Sequence, residues 1–391
     1  MARFKKIIIV FMLVTWPLLL AWSFQSVRLW TAQSVFWHLG FGVPPGSTDT
    51  PAQEFIAMRA FKPRTLMKPV SSTIPEKPKF DTIEIHGHTF RHTGENFEQD
   101  MDKLRIKYFI NLAARTATLA DYKKIRAKFP SERVLHFPTF NWKRVAETDD
   151  FGQAMARDLE EMARAGAKGV KLWKNYGLIV RDRNKKLVTL DDPRLDPVWD
   201  VCAKYKMVIA IHTADPLPFF YPIDSRNERF GELARRPGWS FHGADLPSFD
   251  EVMAQRDRLF AKRRDVRFIA VHFGEFAHDL KRAEKLLEDH PNVWLDTAQR
   301  IDELGRQPRA ARAFFLKYQD RIMFGMDGQP DMGKARIYWR FLETTDEYFD
   351  YHPPHKPRKG FWKIHGLGLP DAVLKKIYYT NGARLLGLPA K

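Results

Sequence analysis

Cysteine is almost missing from this chain of 391 residues, with Cys202 as its one representative. An internal disulfide framework is therefore excluded, and the fold must be held by its core. Cys202 lies in a helix-like stretch, Leu195 to Lys206, where a buried structural thiol is the better reading than a nucleophile. Acidic residues are scarce too: 47 Asp/Glu face 64 Lys/Arg, for a formal charge of +17. Residues 1–80 hold 10 Lys/Arg against 3 Asp/Glu, which leaves +10 for the rest of the chain. Beyond residue 80 the cations are dispersed among acids, as on solvated helix faces, and no recognisable nucleic-acid module accompanies them, so nucleic acid is excluded as a partner. No short-period internal repeat appears either, which excludes a repeat array.

Long hydrophobic runs are also lacking, with a single exception at the amino terminus. Arg3, Lys5 and Lys6 precede the 16 apolar-rich residues from Ile7 to Trp22, a charged region followed by a hydrophobic one, as in an export signal. That length falls short of the ~20 residues that comfortably span a bilayer. Ala21-Trp22-Ser23 is an imperfect cleavage site, whereas Trp16, Trp22 and Trp30 resemble interfacial anchors. Residues 1–24 are therefore expected to be a signal peptide or a membrane anchor, and the protein to be exported, in periplasmic, secreted or membrane-anchored form. Residues 25–80 are rich in proline, serine and threonine and read as a linker, whose basic excess suits anionic headgroups if the amino terminus is attached to a membrane. Residues 81–391 are expected to form one domain, and a hydrophobic content of 44% allows a substantial core.

Within that domain, short apolar runs end in polar residues: Thr82 to His88, Ala167 to Trp173, Met207 to His212, Val266 to His272 and Arg321 to Asp327. Between and around them strand-like and helix-like segments alternate, as in Ile106 to Leu112 then Leu119 to Phe129, Val134 to Phe140 then Phe151 to Ala165, and Val293 to Thr297 then Arg309 to Tyr318. Eight strands up to Asp327, alternating with helices, predict an α/β fold, a TIM-type (β/α)8 barrel with its site at the carboxyl ends of the strands. The residues with metal chemistry fall there in chain order: His86 and His88, Lys171, His212, His272 and Asp327. Side chains two apart share a face of a strand, so His86 and His88 can grip one ion. Neutral imidazoles with a carboxylate suit a divalent metal, zinc foremost, with manganese or iron as alternatives. Each residue also has a plainer reading: a satisfied core histidine, a strand lysine paired with a carboxylate, or, for Asp327, a helix cap.

The run of motifs resembles the amidohydrolase superfamily, in its second large branch, over roughly residues 81 to 388. The similarity rests on His86-Gly-His88 at strand one, His212 ending strand five, His272-Phe-Gly ending strand six, Phe324-Gly-Met-Asp327 at strand eight, and Tyr379-Thr-Asn-Gly-Ala-Arg-Leu-Leu-Gly-Leu388 at the carboxyl-terminal helix. The resemblance implies that His86, His88, His212 and Asp327 bind the metal, and that His272 completes a second metal site or acts as base or electrophile. It sets Lys171 where two-metal members carry a carbamylated bridging lysine, a bridge that single-metal members do without. The sequence departs from the pattern in its export-type amino terminus and in long insertions at 174 to 194 and 213 to 248.

The activity expected is hydrolysis of a small-molecule C–N or C–O bond, in an amide, cyclic amide, ester or lactone, with Asp327 taking the proton of water and His272 assisting. Two other readings stand beside it: non-oxidative decarboxylation of a small carboxylic acid, and a non-catalytic envelope protein that uses the barrel to bind a ligand. Arg300, after strand seven, is a candidate for gripping a substrate carboxylate or else an ordinary ion pair. His136, in the strand-three run, is expected to be structural. The aromatic loop from Thr213 to His242 is expected at the active face, and Tyr351 to Lys363, with His352, His355 and several prolines, to be a solvated connection.

Overall fold

The computed structural model describes residues 65–89, 92–113, 116–243, 245–353 and 359–390. The chain divides into two units, Met1–Met67 and Lys68–Lys391, and the barrel lies within the second. The expected signal or anchor at 1–24 and most of the 25–80 linker lie outside the described residues. Among the described residues no helix is long and apolar enough to cross a membrane.

Eight parallel strands alternate with helices: β1 (Thr82–Gly87), α1 (Phe97–Lys103), β2 (Ile106–Leu112), α2 (Leu119–Lys128), β3 (Val134–Phe137), α3 (Phe151–Arg164), β4 (Gly169–Leu172), α4 (Asp196–Lys204), β5 (Val208–Ile211), α5 (Phe249–Lys262), β6 (Arg267–Ala270), α6 (Leu280–Asp289), β7 (Val293–Asp296), α7 (Pro308–Lys317), β8 (Ile322–Met323) and α8 (Met332–Glu343). Pairing runs β1-β2-β3 and β4-β5-β6-β7-β8, every pair parallel. Two seams join these sheets into a ring. At one, the Lys171 N–H donates to the Pro138 carbonyl at 2.7 Å, with Thr139 bridging to Lys171. At the other, Ile85 donates to Phe324 at 3.0 Å, Asp327 to His86 at 3.0 Å and His88 to Gly328 at 2.9 Å. The sheet is thus a closed (β/α)8 barrel.

Alternation along the strands sorts the core into two layers. Val208 and Ala210 of β5, Ile269 of β6 and Val271 just after it join Ile110, Leu112 and Phe137 in an interior cluster, closed at one end by Tyr379, Ala383 and Leu385 of the carboxyl-terminal helical segment. Their neighbours Ile209, Ile211, Phe268 and Ala270 pack outward against helix residues such as Leu159, Trp199 and Phe260. The helices follow local chemistry. Ser248 and Glu251 form a reciprocal cap at the start of α5, and Asp331 caps α8 by accepting from the Lys334 N–H. Asp327 is therefore not a helix cap. Upstream of β1 the chain is fixed onto α8 and the turn after it: the Ser71 hydroxyl donates to Asp346 at 2.8 Å, and the Lys79 N–H donates to Glu343 at 3.1 Å.

A candidate metal centre at the carboxyl ends of the strands

β1 delivers the two histidines of His-Gly-His through a close backbone approach. A Cβ on Gly87 would stand 2.1 Å from the Phe109 ring of β2, so only glycine lets β1 seat at this point. His86 and His88 are both buried. The Nδ1 of His86 lies 2.8 Å from Asp296 at the end of β7, and the Nδ1 of His88 lies 2.9 Å from the Leu112 carbonyl at the end of β2. An acceptor on each Nδ1 makes that nitrogen the protonated one and turns the Nε2 lone pairs inward. There Asp327 waits, its carboxylate 3.0 Å from His88 Nε2 and 3.8 Å from His86 Nε2.

A second grouping adjoins the first. His272, after β6, sets its ring 4.7 Å from that of His86 and 4.3 Å from that of His212, centre to centre. Its Nδ1 donates to the Ala298 carbonyl at 3.0 Å. Glu275, one turn on, brings a carboxyl oxygen to 3.8 Å from His212 Nε2. His86, His88 and Asp327 form one set of potential ligand atoms lying within 4.8 Å of one another; His212, His272 and Glu275 form the other. The backbone is strained here: His272, Phe273, Glu275, Gln299 and Asp327 all take left-handed φ values, between 56° and 65°, a conformation that non-glycine residues hold only where the surroundings enforce it.

Burial sets the charge states. It holds the imidazoles of His86, His212 and His272 well below their ordinary range, so all three are neutral at pH 7. Burial pushes Glu275 up to about 8, against the pull of Arg300. Asp327 completes the set, its carboxylate set against the Nε2 of His88. Lys171, wholly buried on β4, has an Nζ without a hydrogen-bond partner, and burial brings it down to about 8. The donor set fits a divalent cation: neutral imidazoles and an ionised carboxylate converge, while His212 Nε2 and Glu275 Oε1 are buried with no partner of their own.

The remaining expected residues divide between structural and cavity positions. Arg300 is buried and pairs with Glu275 at 2.5 Å, so it lines the cavity from an internal ion pair. His136 bonds to the Asn111 amide at 3.0 Å and is structural. The long loop after β5 lies at the active face, with Asp215, Phe219, Arg229 and Trp239 lining a cavity of about 560 Å3 over His212, His272 and Asp327. The expectation of a solvated connection at Tyr351 to Lys363 is corrected for its described residues, 351–353 and 359–363. Tyr351, His352 and Lys359 line that cavity, and Tyr351 is buried because its hydroxyl accepts the N–H groups of Lys359 and Gly360 at 2.8 and 3.0 Å and its ring stacks 5.7 Å from Trp362. Three acids are absent from the residues that sequence reasoning singles out: Glu84, Glu275 and Asp296. Two of them carry a usable signal, since Asp296 ends an apolar run as the histidines do, and Glu275 follows His272 by one turn.

A closed (β/α)8 barrel whose strand ends gather histidines and carboxylates fit for a divalent ion defines a metal-dependent enzyme of the amidohydrolase type. Residues 138–388 match the family described as amidohydrolase, and the chain belongs to that family. No curated protein matches the sequence. Among solved structures, the chain is similar to 2,6-dihydroxybenzoate decarboxylase from Rhizobium, at 17% identity and a TM-score of 0.47, over 75% of this chain and 88% of that one. It is similar also to a dihydroxybenzoic acid decarboxylase from a Polaromonas species with bound manganese, at 15% identity and 0.47, over 76% and 86%. A probable 2-pyrone-4,6-dicarboxylic acid hydrolase from Acinetobacter baumannii is similar at 11% identity and 0.47, over 79% and 100%.

Proposed function

We propose that the protein hydrolyses a C–N or C–O bond of a small molecule, an amide, cyclic amide, ester or lactone, with His86, His88, His212 and Asp327 holding a divalent cation, zinc foremost. One observation carries the reading: two adjoining groups of potential ligand atoms, His86 with His88 and Asp327, and His212 with His272 and Glu275, meet at the carboxyl ends of the strands, with His212, His272 and Asp327 facing the cavity. Hydrolysis needs a Lewis acid for the acyl oxygen, a base for water and an acid for the leaving group. A divalent cation supplies a Lewis acid that polarises an acyl oxygen and brings the pKa of water towards ~7. Asp327, ionised, accepts a proton from water as its oxygen attacks the acyl carbon. The protonated Asp327 then passes that proton to the departing nitrogen or oxygen. Release of the products leaves Asp327 ionised again, closing the cycle.

His272 has a narrower role than its position suggests. Its Nδ1 donates to Ala298 and burial keeps the ring neutral, so its Nε2 offers a lone pair. It acts as acceptor or ligand, and an electrophilic role would need a second proton. Lys171 has no bonding partner to break, which leaves its amine open to carbamylation and a bridging role between the two ligand groups.

The test combines metal analysis with product analysis. Protein purified without chelator and loaded with zinc, manganese or iron should hold divalent metal, and His88→Ala or Asp327→Asn should lower the content. Turnover of an ester, lactone and amide panel in heavy-oxygen water should place the label in the acid product. Carbon dioxide release from carboxylic acids without label incorporation would replace hydrolysis with decarboxylation. Full retention of metal by both variants would remove the ligand assignment.

A further inference from the structure

The barrel carries its exposed apolar residues on one side. Among the described residues of Lys68–Lys391, the large apolar side chains left exposed are Val70, Ile74, Ile179, Tyr221, Trp239 and Phe361. None of them stands on α1–α8 or at the amino ends of the strands. Ile179, Tyr221, Trp239 and Phe361 belong to the stretches after β4, β5 and α8. The first two stretches interlock over the active face: Lys174 pairs with Asp215, and Arg181 donates to the Asp245 carbonyl at 3.2 Å. Exposed apolar residues scattered singly are ordinary, but a set confined to one rim marks a contact surface.

The chain upstream of β1 leads to the same rim. Followed backwards it climbs α8 from that helix's carboxyl end: the Lys79 N–H donates to Glu343 at 3.1 Å, Arg340 donates to the Ser72 hydroxyl at 3.2 Å, and Pro69 shares a small cavity of about 320 Å3 with Ile337, His352 and Lys363. His352 lines the main cavity as well. Because α8 follows β8, it starts at the carboxyl ends of the strands, so Lys68 and the fully exposed Val70 stand beside the cavity mouth. The peptide link to residues 1–67, which hold the apolar stretch Ile7 to Trp22 and seven Lys/Arg against two Asp/Glu, thus leaves the barrel on its active side. Positive charge gathers there too. Residues 351–363 hold four Lys/Arg and no acid, and residues 174–194 six against three, while 213–248 is near balance at four against five.

We propose that this rim is a membrane-docking surface: the barrel lies with its cavity mouth against a bilayer that carries anionic headgroups, with Val70, Tyr221 and Trp239 entering the interface and the basic stretches facing lipid phosphates. Tyrosine and tryptophan settle at headgroup level because their rings are apolar and their polar atoms stay wet, and lysines and arginines beside them are drawn to anionic lipid. A second copy of the chain would set the same excess of positive charge against itself, whereas anionic headgroups neutralise it. The docking holds whichever bond the floor breaks.

Lipid quenching on the full-length protein tests it. Cys202 is buried and burial pushes its thiol up, so a thiol-reactive fluorophore goes to introduced cysteines alone. Val70→Cys and Tyr221→Cys place the label on the rim, and Lys168→Cys, exposed at the amino end of β4, places it on the opposite side; melting points like the wild type's show that each variant keeps the fold. On vesicles of phosphatidylcholine with about a quarter phosphatidylglycerol, doped with a doxyl lipid, the labels at 70 and 221 should lose roughly half of their emission and the label at 168 close to none. The loss should shrink on pure phosphatidylcholine, and also as salt rises from about 0.05 to about 0.5 M, since screening releases the basic stretches from the headgroups. Failure to float with the vesicles, equal quenching at all three positions, or flotation without quenching at 70 and 221 overturns the docking. Quenching indifferent to both salt and phosphatidylglycerol overturns the role of anionic headgroups. A doubled mass by light scattering without vesicles, lost in Tyr221→Ser with Trp239→Ser, would assign the rim to a second copy instead.

Discussion

At the scale of single residues, Asp296 shows how one buried carboxylate organises the floor. One oxygen accepts from His86 Nδ1 at 2.8 Å; the other accepts the His272 N–H at 2.8 Å and the Ala298 N–H at 3.1 Å. It therefore fixes the tautomer of a β1 histidine and the turn that carries the β6 histidine. Asp296→Asn keeps the volume but removes the charge and one acceptor, and the outer partner of a ligating histidine is worth 10- to 100-fold in metal affinity, roughly. A competition titration against a chelator should show a loss of that order in Asp296→Asn, with little change in melting temperature; unchanged affinity would mean that Asp296 does not orient His86. The ligand histidines themselves are legible from sequence because each ends an apolar run. Asp296 has the same signal but does not stand out by it, because an aspartate after a strand is also ordinary turn chemistry.

At the scale of elements, the loops of the active face are clasped by a buried ionic network. Arg229, from the loop after β5, meets Asp302 and Glu303 after β7, and Lys359, from the segment after α8, reaches Asp302 at 2.9 Å. Arg306 adds Glu228 at 2.8 Å and lies 4.3 Å over the Trp362 ring. Burial alone would push the Asp302 carboxyl towards its neutral form, but Lys359 and Arg229 outweigh it and keep the carboxylate ionised. Removing one partner of such a network strands the others, at a cost of about 3–5 kcal/mol. Arg229→Met should thus speed hydrogen exchange in residues 213–248 and 351–363 while the barrel strands stay protected. Equal protection in wild type and variant would show that packing, and not the ions, holds the loops. None of this is readable in the sequence: Arg229 and Asp302 are 73 positions apart, and a loop arginine among prolines carries no sign of its own burial.

At the scale of the whole molecule, the barrel stores a dependence on acid. His136 of β3 is buried between Asn111 and the Phe129 carbonyl, and burial lowers it from 6.5 to about 4. Between those values the unfolded chain binds more protons than the native one, so this contribution is complete above pH ~6.5 and is lost progressively as pH falls towards ~4, by roughly 3 kcal/mol in all. Metal-free protein should lose melting temperature across that window, and His136→Gln should flatten the slope; an identical slope in both would assign the acid sensitivity elsewhere. The amino-acid sequence by itself determined the strand and helix pattern, the barrel and the four strand ends that carry His86, His88, His212, His272 and Asp327, because hydrophobic periodicity and the position of polar residues at the ends of runs are local properties. Only the tertiary structure decided the pairing of Arg300 with Glu275, the meeting of the two ligand groups and the burial of Tyr351. Those depend on which distant residues meet and on how much water remains between them, and neither is written in any local stretch of chain.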